Sequence, residues 1–303
     1  MKRILYVTLL SFLFCAHVCA QSVEIAFALP SGQDQLTGNT AKILRSKFLP
    51  AMMESGVETT EIGTIAIKPE ISFLNRQVVE TGMRNIHTSD IQFNFCCTNL
   101  VTGTSYATCV ITVRGEGNSD DDAIKNALTK FSSQDQKLEA FVQTAKAKVI
   151  DYYQRNLSSV LSRAQTFANM QQYSEGLALL FSCPSTISGY TKINTAITSI
   201  YEQYMTKECS SILQNARTEY INGNYRTAIY YLQQIDMTSP CATEAEKLCS
   251  QIKQSKDTEA RQAAELLEKQ AQREADIEKR RIKAARDIAV AYCKRRSDII
   301  FVW

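Results

Sequence analysis

The strongest constraint in this sequence is a change of hydrophobic period. Up to about residue 135, apolar residues recur in short alternating runs separated by turn residues. From Gln136 to about Ile252 the alternation stops and apolar residues recur three and four apart. Alternation lines one face of a strand, whereas three-and-four spacing makes a stripe along a helix. The chain is therefore expected to be α+β, with a mixed sheet-and-helix domain leading into an all-helical module. Composition agrees: 45% apolar and 21% charged residues belong to a globular chain, not a disordered one. A net charge of +3 over 303 residues gives no reason for the whole molecule to coat nucleic acid or a membrane.

Four segments follow. Residues 1–20 are expected to be a secretory signal: Lys2 and Arg3, an apolar run over residues 4–14, then Val18-Cys19-Ala20 before cleavage. The run is too short for a bilayer, which needs about 20 residues. A lipoprotein signal acylated at Cys15 or Cys19 is the rival, although Val18 is a poor residue before the acylated cysteine. Residues 21–135 form the α+β domain, 136–254 the helical module, and 255–303 a charged helix with an apolar tail. Export implies the periplasm, the periplasmic face of an outer membrane, or the exterior.

Losing the signal removes Cys15, Cys19 and His17 and leaves Cys96, Cys97, Cys109, Cys183, Cys209, Cys241, Cys249 and Cys293. An even number in an exported chain is compatible with disulfides, and buried thiols are the alternative. With no C-x-x-C, neither a thioredoxin-like centre nor a zinc ribbon is supported. Cys97 and Cys109 are the candidate disulfide, because a hairpin sets their strands side by side. Cys241 and Cys249, about 12 Å apart on one helix, are too distant to bridge.

In the first domain, residues 23–28 alternate as a half-buried strand. Asn39 can cap a helix carrying Ile43, Leu44, Phe48 and Met52. Residues 65–73 are strand-like, but Pro69 predicts an edge or a bulge. Residues 91–95 and 106–113 flank a turn at 99–104, where Gly103 can take a positive φ. Next comes Arg114-Gly115-Glu116-Gly117-Asn118-Ser119, entering a helix near Asp120. As a phosphate loop it lacks the third glycine and a following lysine, and its carboxylates would repel phosphate. A calcium site of Glu116, Asn118, Asp120 and Asp122 offers hard oxygen ligands. The simpler reading is a capping box, with Ser119 as N-cap and Asp122 at N3.

The helical module contains Ala216, Gly223-Asn224-Tyr225, Ala228-Ile229, Leu232, Ile235 and Pro240. It resembles a tetratricopeptide repeat, in which small residues let two antiparallel helices approach. A weaker copy has Ala164, Tyr173, Gly176-Leu177, Leu180 and Pro184. Tyr173 and Tyr225 lie 52 residues apart, not 34, so an extra helix over about 190–204 is expected between them. Such modules usually bind partners on a concave face; the alternative is that these helices only pack against the first domain.

Residues 256–296 have neither proline nor glycine and read as one long exposed helix. Asp257–Arg261, Glu265–Lys269 and Asp276–Arg280 are favourable acid-first pairs. Its excess positive charge gathers at Arg280 and Arg281 and at Lys294, Arg295 and Arg296. Together with Trp303, the chain's one tryptophan, these are the candidate partner-binding residues. Anionic lipid or an acidic partner would suit them, while nucleic acid is not expected. The strand-like end Ile299-Ile300-Phe301-Val302-Trp303 is expected to dock on the protein's own sheet or on another protein.

His87 is the one histidine beyond the signal. Ser89 and Asp90 stand beside it in an expected loop, but sequence neighbours on a loop do not form a triad by themselves. No catalytic, cofactor or metal residues are assigned. The stretches "VTGTSYATCVITVRGEGNSDDDAIKNALTKF" and "FVQTAKAKVIDYYQRN", the repeat at 216–240 and the terminal Trp303 together look like uncharacterised exported proteins of Bacteroidota and crAss-like phages. The hairpin, Gly-x-Gly turn and following helix also resemble the N-terminal domains of TolB-like and curli-secretion lipoproteins. These resemblances imply an envelope location and, by analogy, a role in envelope assembly or secretion. The expectation is an exported, non-enzymatic protein-binding or scaffold protein with no cofactor and a protein partner in the envelope. The alternatives are an enzyme on an envelope polymer such as carbohydrate, and a peripheral lipid-surface binder using the basic helix.

Overall fold

The computed structural model describes residues 23–30, 38–81, 84–131, 136–236, 239–254, 262–265, 277–295 and 299–301. The signal segment, most of 255–276, Arg296 and Trp303 lie outside the described residues. The sheet is built from β1 (Val23–Pro30), β2 (Val57–Thr60), β3 (Ile65–Thr81), β4 (Arg84–Asn99), β5 (Ser105–Gly117) and β6 (Ile299–Phe301). The helices are α1 (Gly38–Glu54), α2 (Asp120–Lys130), α3 (Gln136–Asn169), α4 (Tyr173–Phe181), α5 (Tyr190–Ile221), α6 (Tyr225–Leu232), α7 (Ala242–Lys253) and α8 (Ile277–Lys294). A mixed sheet followed by a mostly helical region is the α+β architecture expected from the change of period.

Strand order is β2-β1-β3-β4-β5, and β6 pairs with the far end of β1. β1 runs parallel to β2 and β3, while β3, β4 and β5 form an antiparallel meander. β1 is buried on both faces: Val23, Ile25, Phe27 and Leu29 enter the main core, and Ala26 and Ala28 pack with Ala66, Leu100 and Cys293. Phe48 of α1 and Phe141 of α3 meet Phe95 of β4, with Phe48 and Phe95 centroids 4.5 Å apart. Each such fully buried phenylalanine contributes about 1.5–3 kcal/mol of burial free energy.

Pro69 behaves as a local edge. β1 pairs with β3 only at Ala66 and Ile67, so β3 has no described partner on that side by Pro69. The register does slip, but between Phe73 and Asn75, at Leu74. The β4–β5 hairpin matches expectation. Gly103 has φ +73°, and the Asn99 side-chain oxygen accepts from the backbone N–H groups of Val101 and Thr102. The N-cap half of the expected capping box is present, with Ser119 Oγ accepting from Asp122 N–H at 3.2 Å. Gly115 and Gly117 let α2 lie against β5. A Cβ on Gly115 would stand 2.1 Å from the Ala123 carbonyl oxygen.

The apolar core continues across residue 135. One cluster runs from β1 through α3, α4 and the first half of α5, and takes in Ala285 and Ala289 of α8. A second, smaller cluster joins the end of α5 to α6, α7 and Ala264. The helical region repeats at the 52-residue spacing. Gln172 N–H donates to Phe167 O and Gln171 N–H to Ala168 O; in the second copy Asn224 N–H donates to Glu219 O and Gly223 N–H to Tyr220 O. Each is a Schellman turn with a positive φ at its centre, +61° at Gln171 and +78° at Gly223. The expected extra helix is not separate, because residues 190–204 are the first half of α5. Each copy is thus a long arm followed by a short one: 34 and 9 residues, then 32 and 8.

Two expectations are corrected. Cys97 and Cys109 are not bridged; the disulfide joins Cys209 to Cys241. The β4 and β5 strands are neighbours, but Cys97 faces Ala107 and Cys109 faces Phe95. That diagonal relation leaves the side chains about 7–8 Å apart, beyond disulfide reach. The described part of the C-terminal helix is not simply a solvated rod. In α8, Ala285, Ala289 and Cys293 are buried at four-residue spacing against the body of the protein. The apolar end docks on the protein itself: Ile299, Ile300 and Phe301 pair antiparallel with Pro30, Leu29 and Ala28. Among the described residues, no helix is long and apolar enough to cross a membrane.

Candidate functional site

Two concave features and one buried network could carry function. The first is an open polar groove of about 700 Å³ across the helical hairpins. Its floor is one face of α5, with Ser199, Gln203, Thr206 and Ser210 at helical spacing. Its walls are Gln171 and Tyr173 from the first turn, Pro240, and Arg281 of α8. Tyr173 stands edge-on to Tyr204 with centroids 6.0 Å apart, and Lys207 Nζ lies 5.9 Å from the Tyr173 ring centroid. Arg281 reaches across to Glu202, Nη1 to Oε1 3.0 Å. Charges of both signs, hydroxyls, amides and a tyrosine face together suit a polypeptide surface better than one small molecule.

The second feature is a more enclosed cleft of about 390 Å³ where sheet, helices and C-terminal helix meet. Val23, Ile65, Phe181, Ile282 and Val290 supply apolar walls, and its polar groups include Glu24, Ser182, Tyr190, Lys283 and Arg286. Arg286 pairs with Glu24. Burial raises the Glu24 carboxyl above its ordinary value, partly countered by the Arg286 charge. Burial raises Tyr190 in the same way. Among the described residues Glu24 is the one carboxylate lining the cleft.

A buried polar chain reaches the cleft at Ser182. Asn99 Nδ2 donates to Tyr153 OH at 2.6 Å, Tyr153 OH donates to Ser182 Oγ at 2.7 Å, and Ser182 Oγ donates to Leu179 O at 2.6 Å. Tyr106 OH approaches Tyr153 OH at 3.4 Å. Burial pushes Tyr153 well above the ordinary phenol range and Tyr106 up to about 12. These groups stay neutral at pH 7 and tie the hairpin turn of the sheet to α3 and the end of α4.

The basic residues singled out from sequence do not form one patch. Arg280 and Arg281 sit near the start of α8, while Lys294 and Arg295 lie at its end, about 21 Å along the axis. Arg281 belongs to the groove; Arg280, Lys294 and Arg295 are exposed. His87 lies on β4, not in a loop, and its Nδ1 is 3.4 Å from Asp120 Oδ1, with Arg76 on the other oxygen at 3.3 Å. Asp90 accepts from Asn75, so the Ser-His-Asp neighbours do not form a triad. Asp121 and Asp122 face Lys125. Among the described residues, no three His, Cys, Asp or Glu side chains gather as a metal site.

The α5 floor of the groove was missed from sequence. Its signal was a polar stripe flanking the face of Ile193, Ile197 and Ile200, legible only once residues 190–221 are read as one helix.

No family model matches the chain, and no curated protein does. Among solved structures it is similar to a minor lipoprotein from Acinetobacter baumannii, with 11% identity and a TM-score of 0.22. That match covers 43% of this chain and 93% of the other. A likeness this slight bears on neither fold nor function.

Proposed function

We propose that this chain is an exported, non-enzymatic protein-binding or scaffold protein of the bacterial envelope, holding a protein partner in the α5 groove. The observation that carries this reading is the groove: about 700 Å³, open, floored by α5 and walled by the first of the two repeated turns, Pro240 and Arg281. Stacked hairpins usually recognise polypeptides on such a face. Tyr173 and Arg281 are of the residue types that anchor such interfaces, and Lys207 lies beside the Tyr173 ring.

The test is site-specific photo-crosslinking in envelope extract. A photoreactive phenylalanine analogue replaces Gln203 in the groove or, as a control, the exposed Met53 of α1. The reading expects one defined protein adduct from position 203 only, lost when Tyr173→Ala and Lys207→Glu are added. Equal adducts from both positions, or none from 203, would overturn it. Truncation at residue 255 is unsuitable, because α8 contributes Ala285 and Ala289 to the main core.

A lipid-surface reading draws on the exposed Arg280, Lys294 and Arg295. It predicts that reversing those three charges abolishes binding to vesicles containing phosphatidylglycerol and leaves the position-203 adduct intact.

A further inference from the structure

We propose that the cleft between β1, the end of α4 and α8 binds a small zwitterion with an apolar side group, the chemistry of a free apolar α-amino acid. The site is independent of the α5 groove and lies outside the protein-binding role proposed above. Four parts of the chain wall it: Glu24 of β1, the β2–β3 connection at Gly63 and Thr64, the chain after α4 at Ser182, and Lys283 and Arg286 of α8. Its volume of about 390 Å³ falls at the lower end of the range for small-molecule sites, about 300–1,000 Å³. A single small molecule suits that space better than a polypeptide.

The charges decide the ligand class. Among the described residues lining the cleft, one carboxylate, Glu24, stands with two cations, Lys283 and Arg286. The two cations are three positions apart on α8, which places them on one side of the helix. Arg286 pairs with Glu24, yet burial still holds the Glu24 carboxyl above its ordinary value, and Glu58 adds to the rise. One guanidinium therefore does not fully compensate this carboxylate, and an ammonium placed beside it supplies further positive charge. A guanidinium carries five N–H donors, so Arg286 can serve Glu24 and a ligand carboxylate together, with Lys283 beside it. A bare anion would crowd Glu24, and a bare cation would face the two α8 cations. A zwitterion answers both.

The same space supplies an apolar wall. Val23, Ile65, Phe181 and Val290 line the cleft and would receive the side group. Tyr190 is raised first by burial, then by Cys183 and Glu24, with Arg286 opposing, so these groups share one small neighbourhood. Its hydroxyl stays protonated at pH 7 and can give or accept a hydrogen bond. α8 itself is seated by Ala285 and Ala289 in the main core. Lys283 is exposed, so its charge can be altered while the helix stays in place.

The experiment uses the chain from residue 21 onward, which retains every element described above. Three probes share one phenyl group: L-phenylalanine, 3-phenylpropionate, which lacks the amine, and 2-phenylethylamine, which lacks the carboxylate. L-Leucine repeats the test with an aliphatic side group. Binding is read by calorimetric titration and located by amide chemical shifts at Gly63, Thr64, Cys183 and Ser185. The proposal expects the amino acids to shift these amides, and each single-charge analogue to bind about tenfold more weakly than L-phenylalanine. Lys283→Glu should weaken L-phenylalanine about tenfold and favour 2-phenylethylamine. Glu24→Gln should erase the preference for L-phenylalanine over 3-phenylpropionate; if it loosens α8, Lys283→Glu decides. Absence of shifts at all four amides with both amino acids overturns the proposal. Either analogue binding as tightly as L-phenylalanine overturns it too, by showing that one charge suffices. Affinity indifferent to Lys283→Glu likewise overturns it.

Discussion

The two helical hairpins share a turn and differ in what holds them. In the first, α3 and α4 are packed between the sheet and α8, and Tyr153 ties them to Asn99 of the β4–β5 turn. In the second, the end of α5, α6 and α7 share a small cluster of their own, and the disulfide between Cys209 and Cys241 closes a 32-residue separation around it. The turns carry the same contrast. The first holds Gln171 at φ +61°, where an L side chain is strained, while the second uses Gly223 at +78°. A hairpin with a sheet behind it tolerates a strained turn; one with a small core uses a glycine and a covalent staple.

The largest expected effect tests the staple. Replacing Cys209 and Cys241 by serine should cost the second hairpin about 3–4 kcal/mol, from loop closure in the unfolded chain. Hydrogen exchange should show α6 and α7 opening while β4 and α3 keep their protection. Loss of protection in both regions together would mean the two hairpins unfold as one unit.

Tyr153→Phe reverses that pattern. It strands a buried Asn99 N–H and takes the donor from Ser182 Oγ, which keeps its own bond to Leu179 O, and should destabilise the sheet and first hairpin by about 1–3 kcal/mol, measured by chemical denaturation. The second hairpin should be unaffected.

Alkaline pH acts on the same region. Burial raises Cys97 from 9.0 to about 12 and Tyr106 from 10.0 to about 12, and raises Tyr153 and Cys183 also. Above about pH 9 the unfolded chain releases protons that the folded chain retains, so stability is full below pH 9 and falls toward pH 12. In denaturation followed against pH, the first region should melt before the second. Tyr153→Phe should shallow the slope.

The smallest effect is a pair of turn substitutions. Gly223→Ala should cost about 1 kcal/mol, and Gln171→Gly should gain about 0.5 kcal/mol by relieving a side chain at positive φ. Thermal melts of the two variants should move in opposite directions. A shift of the same sign would show that the two turns are not equivalent.

Much of this architecture was legible in the chain. Alternation at 23–28, 91–95 and 106–113 marked β1, β4 and β5, and Gly103 marked their turn, because these signals act between near neighbours. Ser119 and Asp122 announced the start of α2 for the same reason. The 52-residue offset between Tyr173 and Tyr225 was visible as a number, but not its meaning. Only α5 running unbroken from Tyr190 to Ile221 shows it to be a helical hairpin with one long arm. The groove on that helix was hidden for the same reason, since a polar stripe has no face until the helix is known to be continuous.

The sequence by itself determined the α+β order of the chain, the hairpin with its glycine at Gly103, and the Ser119 cap of α2. Each is set by the period of apolar residues or by the backbone freedom of one residue. The Asn39 cap was misplaced, since α1 already begins at Gly38. Only the tertiary structure decided the cysteine pairing, since Cys209 and Cys241 meet through the return of α6 and not through sequence proximity. It also decided the role of the C-terminal helix. Ala285, Ala289 and Cys293 look unremarkable among charged neighbours, yet small side chains at four-residue spacing let α8 pack closely against the body. Long-range packing chooses which of several locally permitted faces is buried, and that choice placed the groove and the cleft.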